Sequence, residues 1–255
     1  MEQDLIFQGA FEPETLETFA SLLSPGMTVM DIGANIGLFT LVAAHRVGPR
    51  GMVHAFEPTP CLAEHIRANL ALNGLENVEL NEVAISDSMG HAVLHIATSD
   101  NLGENTIVAG APDAPGTVGL QVPTVTLDDY AARCSPAGVD VIKIDIEGAE
   151  PMALRGARGL LSDDRSPLLI LEMNPRALKM GGSSVDELLD LLNSFGYQFY
   201  KIATYGQQTH DPWTNGLAAK PFHRERYPTL REWELDPANR QRIDSSECSR
   251  SRGNR

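Results

Sequence analysis

From Pro13 to Leu23 the apolar residues Leu16, Phe19, Ala20 and Leu23 recur at i, i+3, i+4 and i+7, the stripe of an amphipathic helix that Ser24-Pro25-Gly26 stops. A short apolar run, Thr28–Ile32, follows, and from there the chain alternates. Leu38–Val47 reads as a helix and Val53–Phe56 as a buried strand. Leu62, Ile66 and Leu70 then mark a helix ending near Asn73-Gly74, and Val78–Val83 is a third strand. Val139–Ile144 and Leu168–Met173 are two more buried strands, separated by a helix that starts near Pro151, a residue suited to a first helical turn. Ser184-Val185-Asp186-Glu187 is a capping box ahead of Leu188, Leu189 and Leu192, and Gly196 ends that helix before the strand Tyr197–Ile202. Strands and helices alternating this regularly predict right-handed βαβ units: an α/β, doubly wound, mostly parallel sheet with helices on both faces.

The middle of the chain breaks the pattern. Ala92–Ile96 and Gln121–Val125 read as short strands, the second carrying Pro123 and therefore expected at an edge. Between them, Ser99–Gly119 holds four Gly and two Pro, a length and composition expected of a functional loop, and we read it as a lid. Residues 236–255 are rich in Ser, Arg and Asn without periodicity and are expected to be a disordered tail. The organisation expected is an N-terminal helical cap (1–25), a main domain (26–235) and that tail.

Composition adds bounds rather than detail. The 255 residues are 42% apolar and 21% charged, enough to bury a sizeable core. The net charge is −14, and the tail's five Arg leave the rest more acidic still. Such a body repels phosphate backbones and anionic lipid, so neither nucleic acid nor membrane is expected as a partner. Cys61, Cys134 and Cys248 fit neither a disulfide framework nor paired zinc ligands. Met1-Glu2-Gln3-Asp4 is acidic where a signal peptide is basic, and no apolar run nears the length of a membrane span. The expectation is a cytoplasmic protein, with the oligomeric state, a homodimer included, left open.

Three motifs carry chemistry. In Val29-Met30-Asp31-Ile32-Gly33-Ala34-Asn35-Ile36-Gly37 a strand runs through a glycine turn into a helix whose N-terminus points at the crevice of such a sheet. The spacing departs from the dinucleotide G-x-G-x-x-G. Asp31 would repel a pyrophosphate and suits a ligand carrying an ammonium and a sulfonium. Glu57 ends the second strand, 20 residues after Gly37, where a carboxylate can take both ribose hydroxyls of an adenosine-type cofactor. Lys143-Ile144-Asp145-Ile146-Glu147-Gly148-Ala149-Glu150 leaves the fourth long strand with Lys143, Asp145 and Glu147 on one side if the extended conformation persists. Glu150 belongs to the first turn of the next helix, favoured by its dipole.

These residues resemble FkbM-type S-adenosylmethionine-dependent methyltransferases from about Gly9 to Leu192. The resemblance rests on Asp31–Gly37, Ala55-Phe56-Glu57-Pro58, Asn69-Leu70-Ala71-Leu72-Asn73-Gly74, Ala84-Ile85-Ser86-Asp87, Val125-Thr126-Leu127-Asp128-Asp129-Tyr130 and Lys143–Glu150, in order and with compatible spacing. It implies a class I methyltransferase (Rossmann-like) fold, a seven-stranded sheet whose last strands form an antiparallel pair. It also implies S-adenosyl-L-methionine as cofactor and methyl transfer to a small molecule, often to an oxygen of a sugar or secondary metabolite. On that resemblance Asp31, Gly33 and Asn35 sit around the methionine part of the cofactor, Glu57 holds the ribose, and Val83 and Ala84 lie near the adenine, with Ala34 and Gly37 also among the cofactor-binding residues. Many class I enzymes carry an acid after the third strand; Ala84-Ile85-Ser86 stands there instead, which leaves adenine to the backbone or to Ser86.

Methyl transfer is an in-line displacement at an already activated carbon, so the protein aligns the partners and, for a hydroxyl, removes a proton. Asp145, Glu147 and Glu172 are the candidate catalytic carboxylates. With Asn174 they could ligate Mg²⁺, but the ligand motif of catechol-type methyltransferases is not matched, and no metal is expected. His210, beside Asp211, is a weaker candidate base; Phe7, Phe11 and Trp213 could line an acceptor pocket; the other histidines read as structural. Two competing readings are a nucleotide-dependent oxidoreductase on a similar sheet and a cofactor-binding module without catalysis. The acceptor, and whether its O, N or C is methylated, cannot be read from the sequence.

Overall fold

The computed structural model describes residues 12–96, 105–108, 118–134, 138–202, 214–227 and 230. Phe7, Phe11, His210, Asp211, Trp213, most of 99–119 and the tail lie outside the described residues. Helices α1 (Pro13–Leu22), α2 (Leu38–Val47) and α3 (Pro60–Asn73) accompany strands β1 (Thr28–Ile32), β2 (Met52–Phe56) and β3 (Val78–Asn81). A small excursion follows, β4 (Ala84–Ile85), β5 (Gly90–Ile96) and β6 (Val118–Val125). The second half holds α4 (Leu127–Cys134), β7 (Val141–Ile144), α5 (Glu150–Arg155), α6 (Arg158–Ser162), β8 (Leu168–Met173), α7 (Pro175–Met180), α8 (Val185–Ser194), β9 (Gln198–Lys201), β10 (Thr214–Ala219) and α9 (His223–Arg226).

The main sheet has seven strands in the order β3-β2-β1-β7-β8-β10-β9, parallel except that β10 runs against both its neighbours. From β1 the chain winds outward to β3, then returns to lay β7 on β1's other side. That reversal opens a crevice at the carboxyl ends of β1 and β7. Alternation along each strand divides the core: Met30, Ile32, Ile142, Ile144, Leu169 and Leu171 face one helical layer, Val29, Val141, Leu168 and Ile170 the other. The second layer contains α1 as well as α2, with Phe19 edge-on to Phe39 at 5.4 Å between ring centroids. By the same parity Asp31 and Lys143, register partners on β1 and β7, share the α2 face just below the crevice.

Two local expectations need correction. The third strand stops at Asn81, and Ala84–Ile85 joins a separate three-stranded sheet of order β4-β6-β5. In that sheet β6, carrying Pro123, is the middle strand, not the edge. Its parallel partner β4 covers only Thr124 and Val125, so on that side Pro123 lies beyond the ladder and its missing N–H costs nothing. Elsewhere local signals hold: Ser184 Oγ accepts from Glu187 N, and Gly74 closes α3 at φ 62°.

β10 has no sequence signature of a strand, because Asn, Gly and Ala are poor strand formers. Gly216 is required there by its neighbour: a Cβ at this position would fall 1.8 Å from Cζ of Phe199, a ring buried on β9. Gly216→Ala should therefore overpack the β9–β10 pair and cost about 1–3 kcal/mol, read as a lower urea midpoint at unchanged slope. An unchanged midpoint would mean that the ring can move aside.

Candidate active site

At the end of β1 the chain must turn while the exit of β7 presses against it. A Cβ on Gly33, whose φ is 79°, would sit 1.9 Å from the carbonyl oxygen of Asp145, so only glycine allows the two exits to close up. The amides of Gly33 and Ala34 both donate to Phe56 O at 3.0 Å. Asn35 follows at φ 52°, left-handed backbone that Asn tolerates, and its N–H donates to Glu57 Oε2 at 2.9 Å. Glu57 Oε1 accepts from Thr59 N at 2.9 Å. One buried carboxylate thus staples the β1 turn to the β2 turn. Burial raises the Glu57 pKa, against the hydrogen bonds that favour its ionised form.

Beside this staple lies a narrow crevice of about 530 Å³ counted to its mouth. It is lined by Gly33, Asn35, Glu57, Thr59 and Asp145 together with the apolar Phe56, Leu62, Val83, Ala84, Ile85 and Leu94. Asn105, Thr106 and Ile107 also line it: Thr106 exchanges backbone hydrogen bonds with His95 at 2.8 and 3.2 Å, and Asn105 Nδ2 donates to Thr59 Oγ1. Ala34 packs behind the turn with Ala55 and Ile66, and Gly37 begins α2 at φ 91°. Ser86 is buried with its N–H on Val125 O and is not among the lining residues.

Asp31 lies beneath the turn, fully buried. Its Oδ2 accepts from Thr40 Oγ1 at 2.6 Å, while Oδ1 has no hydrogen-bond partner and faces Lys143 Nζ at 3.8 Å. Burial raises its pKa, opposed chiefly by Lys143. Lys143, also buried, donates to Asp145 Oδ2 at 3.0 Å and stands over the Phe39 ring. Burial disfavours its charge, yet Asp145, Asp31 and Glu12 together hold its pKa above the ordinary lysine value.

Above this buried row the carboxylates converge. Ligand-capable oxygens of Asp145, Glu147 and Glu172 lie within 4.8 Å of one another. Glu147 sits at φ 50° and accepts from Asn174 Nδ2 at 3.2 Å. Asn174 Oδ1 caps α7 by accepting from Arg176 N and Ala177 N, which fixes its amide with the NH₂ towards Glu147. Glu150 Oε1 holds the loop by accepting from the amides of Ile146 and Gly148. Burial pushes Glu150 up to about 7. Burial, with Asp145, Glu147, Glu150 and Glu12 nearby, pushes Glu172 up to about 10.

The sequence reading missed Glu12. It precedes α1 at the N-cap position with φ 44°, but its side chain does not cap; Oε2 accepts from Asn215 Nδ2 of β10 at 2.8 Å. Burial and the charge of Asp145 push its pKa up to about 7. An acid before a helix reads as a cap, so only Asn215, a polar residue in an otherwise small and apolar strand, offered a signal. Of the histidines, His54 is buried against Tyr130 Oη and serves the core.

The family model of the methyltransferase FkbM domain matches residues 31–199, from Asp31 to β9. This chain belongs to the FkbM methyltransferase family. It is 28% identical over 188 residues to the 2-O-methyltransferase NoeI of Sinorhizobium fredii, which spans 68% of this chain and 74% of NoeI. It is 31% identical over 164 residues to the 31-O-demethyl-FK506 methyltransferase FkbM of Streptomyces tacrolimicus, 52% of this chain and 60% of that one. The crystal structure of methyltransferase FkbM from Methylobacillus flagellatus superposes with a TM-score of 0.51 at 20% identity, over 78% of this chain and 47% of that one, a likeness of fold. The chain thus spans less than two thirds of the last two proteins.

The FkbM methyltransferase described here uses S-adenosylmethionine, and its residues fit that cofactor. Asp31 Oδ1 is a buried carboxylate oxygen without a hydrogen-bond partner, and Asp31 and Asp145 share Lys143, the one cation paired with them among the described residues. A ligand carrying positive charge complements such a set.

The same surplus sets a pH dependence. Glu12, Glu150 and Glu172 hold protons in the folded state at pH values where an unfolded carboxyl has lost them, so the stability they contribute is lost as pH rises through about 7 and onward to 10. The cofactor-free protein should melt several degrees lower at pH 8.5 than at pH 5.5, with about 2–4 °C for each kcal/mol at this size. A melting temperature that rises over that interval would contradict these protonation states.

Proposed function

We propose that this FkbM methyltransferase moves a methyl group onto a hydroxyl oxygen of a small molecule, a sugar or a secondary metabolite. The supporting observation is the convergence of Asp145, Glu147 and Glu172 beside the crevice that Asp145 itself lines. The family membership and the 2-O-methyltransferase and 31-O-demethyl-FK506 methyltransferase named above lend weight to an oxygen acceptor.

In this reading Glu57 takes the ribose hydroxyls through the lone pairs left over from Asn35 and Thr59, while Val83 and Ala84 flank the adenine, with Ser86 behind them. Gly33, Ala34, Asn35 and Gly37 form the turn around the methionine portion, and Asp31 supplies negative charge beneath it. The bound cofactor supplies a methyl group on a sulfonium, so a nucleophile needs only alignment and loss of its proton. Asp145 and Glu147 orient the acceptor hydroxyl and take that proton. Glu172, kept protonated by burial and by the neighbouring acids, offers an O–H donor to the carboxylates and does not act as the base. An Mg²⁺ ion held by the same three carboxylates is the second reading, favoured by their spacing. The acidic surface disfavours nucleic acid as partner, no described helix is long and apolar enough to cross a membrane, and the free thiols of Cys61 and Cys134 suit the cytoplasm.

Glu57→Ala should weaken S-adenosylmethionine binding by tenfold or more in calorimetric titration, the loss of a charge-assisted contact. Unchanged affinity would remove Glu57 from the cofactor site. On a hydroxylated acceptor found by screening, Asp145→Asn and Glu147→Gln should each lower single-turnover rates by about 10²- to 10⁴-fold while cofactor affinity stays within a few-fold. Near wild-type rates in both variants would move the base elsewhere. Activity abolished by EDTA and restored by Mg²⁺ would select the metal reading.

A further inference from the structure

Glu12 and Asn215 both lie outside the matched domain, at residues 31–199, yet they meet beside Glu172, one of the three converging acids. Asn215 stands opposite Glu172 in the antiparallel pairing of β8 and β10, so the two side chains share a face. Its amide holds the Glu12 carboxylate where that charge acts on Asp145, Lys143 and Glu172. The side chain forms no cap on α1, and Glu12 takes up left-handed backbone to deliver it. A non-glycine residue held in left-handed backbone, with a carboxylate that bridges Thr15 of α1 and Asn215 of β10 instead of capping the helix amides, is a feature that needs a purpose.

Electrostatics supplies one. Lys143 is already engaged by Asp145 and Asp31, and Asp31 Oδ1 remains buried without a hydrogen-bond partner. The group thus carries more negative than positive charge on the side of the crevice lined by Asp145. S-Adenosylmethionine enters with a positive sulfonium. S-Adenosylhomocysteine leaves with a neutral thioether and otherwise nearly the same shape. In a poorly solvated crevice, a fixed negative potential binds the first more tightly than the second.

We propose that Glu12, tethered by Asn215, is a charge-selecting residue that makes this enzyme prefer the sulfonium cofactor over its thioether product, so that product inhibition is weak. The residue acts through the potential at the sulfur atom, and the acceptor plays no part in the selection.

The test needs no acceptor. Calorimetric titration of the full chain at pH 8.5, above the Glu12 pKa of about 7 so that its carboxylate is ionised, with S-adenosylmethionine, S-adenosylhomocysteine and sinefungin, which carries an ammonium where the cofactor has its sulfonium, reads the potential directly. The wild type should bind both cationic ligands at least fivefold more tightly than S-adenosylhomocysteine. Glu12→Gln keeps the shape and can still accept from Asn215. It should reduce that preference to twofold or less, by weakening the cationic ligands while S-adenosylhomocysteine changes less than twofold. Asn215→Ala, which releases the carboxylate without removing it, should shift the preference the same way, and it decides the matter if Glu12→Gln does not fold. Equal affinity of the wild type for all three ligands would overturn the proposal. So would an equal loss for all three in Glu12→Gln, which would make Glu12 a packing residue. Failure of every ligand to bind the folded wild type would overturn the cofactor assignment as well, and is distinguished by its independence of charge.

Discussion

The ammonium of Lys143, buried between Asp31 and Asp145, is the contact on which the site depends. A lysine in that position costs several kcal/mol in lost hydration unless carboxylates and hydrogen bonds replace the water. Register brings Asp31 beside it on the neighbouring strand, two residues of extended chain bring Asp145 above it, and α2 contributes Phe39 below and Thr40 to Asp31. Each partner comes from an element that must be fully packed to deliver it. The junction of β1 and β7, where the sheet reverses its winding, is thereby fixed both by apolar burial and by a charge that has nowhere else to go. Removing Lys143 alone would leave the fully buried Asp31 without its counter-charge and near a second acid, Asp145.

Much of this was legible in the sequence because the signals are local. The glycine turn after Asp31, the acid ending β2 and the run from Lys143 to Glu150 are short segments whose spacing alone carries the geometry, and the structure brings Asp31, Asp145, Glu147 and Glu172 to one sheet edge. The illegible parts share a cause: they depend on a distant partner. Thr214–Ala219 becomes a strand because Phe199 fills the room above Gly216. Pro123 is tolerated in a middle strand because β4 is only two residues long. Glu12 reaches the site through a partner 203 residues away, and no periodicity reports a contact of that separation.

The glycines illustrate a different legibility. Gly33 and Gly148 are both hemmed in by backbone carbonyl oxygens, of Asp145 and Ala177, at distances no side chain allows. Both carry positive φ, and both lie in loops that place catalytic candidates. Sequence marks such a position as a turn; it does not say that the turn exists to bring two strand exits within contact. The close approach is what places Asp145 at the lip of the crevice, and so it links backbone freedom at one residue to side-chain chemistry at another.

Gathering several carboxylates around a single ammonium works against the stability of the empty protein, because burial and mutual repulsion both oppose their ionised forms. Folding tolerates it by protonation, which Glu172 shows most strongly with its pKa near 10. The same arrangement turns a cationic ligand into the missing counter-charge. Binding a sulfonium and stabilising the fold then become linked equilibria, since whatever binds only the folded state adds to its stability. A site poised in this way is destabilised when empty and relieved when loaded with the charged cofactor, and the relief is smaller for the neutral product. The surplus of acid at the sheet edge is therefore read as a functional cost carried by a well-packed core, whose strands β1, β7 and β8 are almost wholly buried on both faces.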